Sequence, residues 1–235
     1  MGEPVRTAAV DFDRLDEACV ARVKRAGLDG IDVSVTSATF LTTEHVTSAG
    51  ISLTHLLRSN GLSVLSATWR LAAESSPNVG PGPRPPELER ASELMQVLGE
   101  FHRPLLTVTP PPVIPRHPGD AVCGYLEALN LTHRALLDLC FNAERHGVGL
   151  APRAPWRGAL ISPVEVRELV DALSSPCVGV CIDTMELESA GRLDDWLHTL
   201  RHRVLALRVT HAASADEPPH PIVGEWNLVI DPSDP

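Results

Sequence analysis

Asp183, Thr184, Met185 and Glu186 follow directly on the apolar run Cys177-Val178-Gly179-Val180-Cys181-Ile182, so two carboxylates stand just past the end of a buried strand. A helix-period segment, Ser162 to Leu173, comes before that run. Helix, buried strand and carboxylates at the strand's carboxyl end form the unit from which α/β barrels build their active sites. Carboxylates in that place can hold a divalent cation, move a proton or pair with a cationic side chain. Other groups with chemistry to offer also close apolar runs. Arg153 stands shortly after Gly147–Ala151, Arg208 lies within Val204–Thr210, and His211 follows that run.

The elements that must position these groups repeat along the chain. Strands are predicted at Thr7–Val10, Gly30–Val35, Ser63–Thr68, Pro104–Thr109, Gly147–Ala151, Val178–Ile182 and Val204–Thr210, with helix-period segments between them. That alternation predicts βα units on a parallel sheet. Asp13 is placed to cap a helix that Gly27 ends, and further helices are predicted over Glu87–Leu98, Ala121–Arg145 and Asp194–Leu200. Ser162-Pro163-Val164-Glu165 has the pattern of a capping box with proline at the first helical position. Two proline-rich segments, Pro77–Pro86 and Thr109–Pro118, follow the third and fourth strands. Stiff, extended loops there are able to wall a pocket or to serve as surface excursions.

With 235 residues the chain is long enough for one (β/α)8-type barrel, and the expectation is a single domain over residues 1–235. A formal charge of −10 argues against nucleic acid as partner, because phosphate binding needs a basic surface. No apolar run approaches the roughly 20 residues that span a bilayer, and the first residues lack a signal-peptide pattern. A cytoplasmic protein is expected, and an oligomer is compatible with the sequence. The five cysteines form no C-x-x-C pair, and Cys177 and Cys181, within or beside a predicted buried strand, read as small core residues. Lys24 is the sole lysine and falls on a surface helix, which argues against Schiff-base chemistry.

Gly27–Asp32 (G-L-D-G-I-D), Val97–Gly99 (V-L-G), His146–Ala151 (H-G-V-G-L-A) and Ser175–Thr184 (S-P-C-V-G-V-C-I-D-T), in that order, resemble the xylose isomerase-like TIM barrels. The resemblance runs from about Thr7 to Asp231 and implies a barrel related to sugar-phosphate isomerases and epimerases. In metal-dependent members the fifth strand ends in a glutamate, the sixth in Asp-x-x-His, the seventh in a His-x-x-Asp-like pair and the eighth in a glutamate. Residue by residue, Arg153 replaces the first glutamate, and Asp183 survives while Glu186 takes the histidine position. Arg208 and His211 fall on the seventh-strand pair, and the last ligand has no evident counterpart. A guanidinium in place of a ligating carboxylate repels a divalent cation. Asp183, Glu186 and His211 remain as a conceivable weak divalent site, and otherwise no cofactor is expected.

Arg153 and Arg208 are placed to pair with Asp183 and Glu186 across the sixth strand. Such a network either replaces the metal as a structural clamp or binds an anionic group while Glu186 or His211 exchanges a proton. Asp32, at the end of the second strand, and Trp69 and Trp156, just beyond the third and fifth, are candidates to line the pocket. His117 and the other remaining histidines show no ligand spacing and read as surface residues. The resulting expectation is a (β/α)8-type TIM barrel, shortened or irregular at its eighth strand. It acts on or binds a small sugar-like or anionic metabolite at the face where the strands end. The alternative is a catalytically inactive barrel that serves as a binding or scaffold module.

Overall fold

A computed structural model of the chain describes residues 7–11, 17–28, 30–36, 54–72, 85–101, 104–187, 189–210 and 225–229. Eight strands lie in sequence order in one sheet: β1 (Thr7–Asp11), β2 (Gly30–Thr36), β3 (Ser63–Arg70), β4 (Leu105–Thr109), β5 (Gly149–Ala154), β6 (Val180–Asp183), β7 (Val204–Thr210) and β8 (Glu225–Val229). The first seven pair in parallel, as βα alternation requires. All seven strands read from the sequence are present, with small shifts at their ends. β8 is the irregular one. It pairs antiparallel with β7 and also contacts β1, so the two ends of the sheet come together. The link from Thr210 to Glu225 carries Pro218, Pro219 and Pro221, and proline inside a crossover helix would remove hydrogen bonds and clash. A parallel return normally needs such a helix, whereas an antiparallel return does not.

The helices are α1 (Glu17–Arg25), α2 (Pro85–Leu98), α3 (Tyr125–His146), α4 (Pro163–Leu173), the single turn α5 (Thr184–Leu187) and α6 (Leu193–Leu200), and residues 54–59 are also helical. Gly147 ends α3 in the left-handed conformation, at φ 64°, and its N–H bonds to the carbonyls of Ala143 and Glu144. Proline opens α4 as expected, but the capping box does not form. Ser162 makes no side-chain cap, and Glu165 instead accepts a hydrogen bond from the Tyr125 hydroxyl at the start of α3. The partial burial of Tyr125 and this carboxylate push its phenol up to about 12. No helix among the described residues is long and apolar enough to cross a membrane.

Strand residues alternate between two environments, as period-two side chains must. Ile31, Val33, Val64, Ala67, Trp69, Leu106, Val108, Val180 and Ile182 join helix residues such as Leu94, Met95, Leu139 and Leu169 in the large core. A second, smaller cluster holds Leu105, Ala151, Cys181 and Ala206. Alternation assigns the latter to the barrel interior, one step below Arg153, Asp183 and Arg208. Three of the four, Ala151, Cys181 and Ala206, have small side chains and stand one step below those charged residues.

Near the amino ends of β6 and β7 the backbones approach closely. A Cβ on Gly179 would collide with the Arg203 carbonyl oxygen and lie 2.5 Å from Leu205 Cγ. Gly179→Ala should therefore destabilise the barrel by about 1–3 kcal/mol through overpacking, measured by urea unfolding. A neutral result would mean that β6 and β7 are not so closely apposed.

Candidate functional site

Four charged side chains are sealed inside the barrel near the carboxyl ends of its strands: Asp32 (0% exposed), Arg153 (2%), Asp183 (0%) and Arg208 (1%). Arg153 Nε donates to Asp183 Oδ2 at 2.5 Å, and Arg153 Nη2 reaches the same oxygen. The Met185 N–H donates to Asp183 Oδ1 at 3.0 Å. Arg208 Nη2 lies 3.3 Å from Asp32 Oδ2, and Arg208 Nη1 donates to Thr68 Oγ1 at 3.2 Å. The Ser66 hydroxyl donates to Asp32 Oδ1 at 2.9 Å. Burial first, then the facing Arg208 guanidinium, lowers the Arg153 pKa to about 10. Burial likewise raises the Cys181 thiol to about 11, against the opposing pull of both arginines.

The expected pairing is therefore half right. Arg153 does hold Asp183, but Arg208 pairs with Asp32 and not with Glu186. The β6–β7 register sets Arg208 beside Asp183 in the ladder, so its side chain projects into the interior and crosses to β2. Both carboxylates are consumed by guanidinium groups. Among the described residues no group of three or more His, Cys, Asp or Glu side chains is gathered as ligands. His211 lies outside the described residues. The donor set that is described does not fit a divalent cation, because a guanidinium occupies the Asp183 carboxylate from the strand end where a ligand was expected.

Above this layer opens a cavity of about 430 Å³, lined by Arg70, Leu71, Thr109, Pro110, Pro112, Arg116, His117, Asp120, Arg153, Trp156, Arg157 and Met185. Its walls come from the carboxyl ends of β3 to β6. The proline-rich segment after β4 does form a wall, whereas residues 77–84 of the other one lie outside the described residues. Trp156 lines the cavity as expected, with the Arg153 guanidinium carbon 3.8 Å from its ring centroid and that of Arg116 at 5.4 Å. Trp69 does not line it. It is fully buried in the core between sheet and helices, because its position in β3 points away from the interior. The next residue, Arg70, takes the lining position. Arg208 and Asp32 also lie beneath the cavity and not on its surface.

The loops above the strands are stitched together by charge. Glu186 forms an ion pair with Arg116 and accepts the Arg157 N–H at 3.2 Å on its other oxygen. Asp120 forms an ion pair with Arg157 and accepts the N–H groups of Arg116 and His117 at 3.0 and 3.2 Å. These bonds, that of Arg157 first, hold the Asp120 carboxyl down at about 2. The Arg157 carbonyl accepts from Val113 and Ile114, and its Nε donates to the Ile114 carbonyl at 3.2 Å. Arg157 achieves all this with φ at 41°, a region where a non-glycine residue is strained. Sequence reasoning missed Arg70, Arg116, Asp120 and Arg157; His117 is exposed, as expected, and also lines the cavity. The one available signal was Thr109–Pro118, whose stiffness pointed to a wall and whose Arg116 and His117 sit in it.

Fold and site together define an α/β barrel with a cleft at the carboxyl ends of its strands, walled by arginines most of which are paired with carboxylates. Residues 20–229 match the family model described as xylose isomerase-like TIM barrel. The chain belongs to that family. It is similar in structure to D-psicose 3-epimerase of Clostridium cellulolyticum H10 with D-tagatose, at 12% identity and TM-score 0.62, over 90% of this chain and 77% of that one. A xylose isomerase domain protein from Planctomyces limnophilus matches at 15% identity and TM-score 0.60, over 97% and 82%. D-allulose 3-epimerase from Methylomonas sp. in complex with D-allulose matches at 15% and 0.60, over 88% and 72%. No curated protein matches the chain by sequence.

Breaking the sealed ion pair leaves an uncompensated buried charge, at a cost of about 3–5 kcal/mol. Arg153→Met should lose that much in urea unfolding, and R153M/D183N should recover at least half of it. Equal losses in the single and double variants would mean that the pair is not buried as described. Asp120, held near 2 against roughly 3.9 in the unfolded chain, adds stability that is present above about pH 4 and disappears as pH falls through about 2. Asp120→Asn should flatten that stretch of the stability–pH curve and leave the curve above pH 5 parallel to wild type.

Proposed function

We propose that this barrel binds a small anionic, polyhydroxylated metabolite, a sugar phosphate or sugar acid, in the cleft at the carboxyl ends of β3 to β6, without a divalent metal. The observation that supports the reading is the lining, in which Arg70, Arg116, Arg153 and Arg157 contribute four guanidinium groups, three of them braced by carboxylates: Arg116 by Glu186, Arg153 by Asp183 and Arg157 by Asp120. Planar guanidinium forks match carboxylate and phosphate oxygens in pairs. Trp156 and Met185 offer apolar surface for the carbon face of a sugar. The family acts on sugar-like molecules, and two of the similar structures hold sugars by their descriptions. In the reactive form of this proposal Glu186 is the acid–base group, with His211 as its partner, and the product is an isomer or epimer of the ligand.

The second reading is a barrel that binds without turnover. It is favoured by the commitment of both Asp183 and Glu186 to guanidinium groups, which leaves neither carboxylate unpaired for proton transfer.

A thermal-shift panel of sugar phosphates and sugar acids, run with chelator present, tests binding. A ligand at about 100 times its Kd adds ~2.7 kcal/mol, which raises Tm by roughly 5–10 °C for a chain of this size. Arg116→Gln, at a partly exposed position, should keep the fold and lose most of that shift. Neutral sugars shifting Tm as much as anionic ones would overturn the reading. For bound ligands, loss of carbon-bound hydrogen in D2O followed by NMR separates the reactive form from the silent one.

A further inference from the structure

We propose, resting on the reading of the cleft just given, that Thr109 fixes where the anionic group of the ligand sits. Its hydroxyl donates to an oxyanion, phosphate or carboxylate, held between the guanidinium groups of Arg70 and Arg153. Three neighbouring strands build this place. Arg70 stands beside Thr109 in the β3–β4 ladder. Val108 stands beside Pro152 in the β4–β5 ladder, so the next step sets Thr109 level with Arg153. Val108 belongs to the large core, so period two turns Thr109 toward the interior. Arg70, Thr109 and Arg153 all line the cavity.

The Thr109 hydroxyl is a group that the fold leaves unused. The residue is 2% exposed, and its carbonyl accepts from the Leu71 N–H at 3.0 Å. Its Oγ1 is buried and has no hydrogen-bond partner among the described residues. Buried hydroxyl groups in folded proteins are nearly always bonded, and an unmade bond costs about 1–3 kcal/mol. Other buried threonines follow that rule. The Thr68 hydroxyl donates to Asp32 Oδ1 at 3.3 Å and accepts from Arg208 Nη1 at 3.2 Å, and the Thr132 hydroxyl donates to the Ala128 carbonyl at 2.7 Å. Ser34 Oγ is also without a partner, but Ser34 is not among the residues that line the cavity. At Thr109 the orphaned hydroxyl and the cleft coincide.

The neighbours decide the class of the missing partner. An oxygen with negative charge accepts from the hydroxyl and from both flanking guanidinium groups, and bonds to it are charge-assisted. Arg153 spends Nε and Nη2 on Asp183, which leaves Nη1 to donate. Turning Thr109 from one staggered χ1 well to another exchanges hydroxyl and methyl without change of volume. The hydroxyl therefore turns to a ligand oxygen without repacking of its surroundings.

Thr109→Val keeps the shape of the side chain and removes the hydroxyl. Without ligand its Tm should equal or exceed that of wild type, because no hydrogen bond is lost. Inorganic phosphate and D-gluconate, titrated separately by thermal shift with chelator present, should cover the two sources of an oxyanion. At least one of them should bind the variant about tenfold or more weakly than it binds wild type, the loss expected for a hydrogen bond to a charged group. Thr109→Ser should recover most of that affinity. Loss for phosphate alone assigns a phosphate to the place, and loss for gluconate alone assigns a carboxylate. Unchanged binding in T109V, with binding still lost in R116Q, would overturn the role of Thr109 and leave the reading of the cleft standing. No binding of either anion to wild type would overturn both. A ligand-free T109V melting several degrees below wild type would make the hydroxyl structural and would also contradict the proposal.

Discussion

Two guanidinium groups buried inside the barrel impose the constraint from which the rest of the site follows. Removing a charge from water costs several kcal/mol unless a counter-charge and hydrogen bonds meet it. Arg153 and Arg208 face each other across the interior, and burial first, then the Arg208 charge, lowers the Arg153 pKa. Each therefore takes a carboxylate: Asp183 for the first and Asp32 for the second. The long side chains also need space, and Ala151, Cys181 and Ala206 beneath them provide it. Charge, counter-charge and small neighbours make one unit, and no member can be exchanged alone without leaving a void, a clash or an orphaned ion.

What lies above that layer follows from what it consumes. Asp183 stands where a barrel of this family would gather ligands, but its oxygens are bound to Arg153 and to the Met185 N–H. Paired charge continues up into the mouth. Arg70, Arg116 and Arg157 join Arg153 around the cleft, and Asp120 and Glu186 serve as struts that hold the loops over it. A cleft so built suits an anion with a carbon face, held by guanidinium forks and an indole ring. It gives the proposed ligand chemistry its sign, while the family supplies its sugar-like character.

The sequence made the scaffold legible because the signals were local. Apolar runs closing in polar residues marked seven strands, and the pairing of Arg153 with Asp183 followed from two strand ends being neighbours. What it did not show depended on side-chain direction and on long-range partners. Trp69 and Arg70 differ by one position, yet period two sends the first into the helix-facing core and the second to the cleft. Glu165 satisfied the spacing of a capping box but found Tyr125, forty residues away, instead of Ser162. Arg157 has no motif at all. Its role comes from a left-handed backbone turn that aims its N–H and its carbonyl at two different loops. An irregular eighth strand was expected from the resemblance, but not its reversal against β7.

The central claim, an anion-binding cleft in which guanidinium groups stand where the family's metal is expected, is tested most directly by calorimetric titration of one stabilising sugar phosphate or sugar acid into protein with and without chelator. The account predicts the same dissociation constant in both, weakening as salt rises because the contact is ionic. Binding that vanishes with chelator and returns on adding a divalent cation would contradict it.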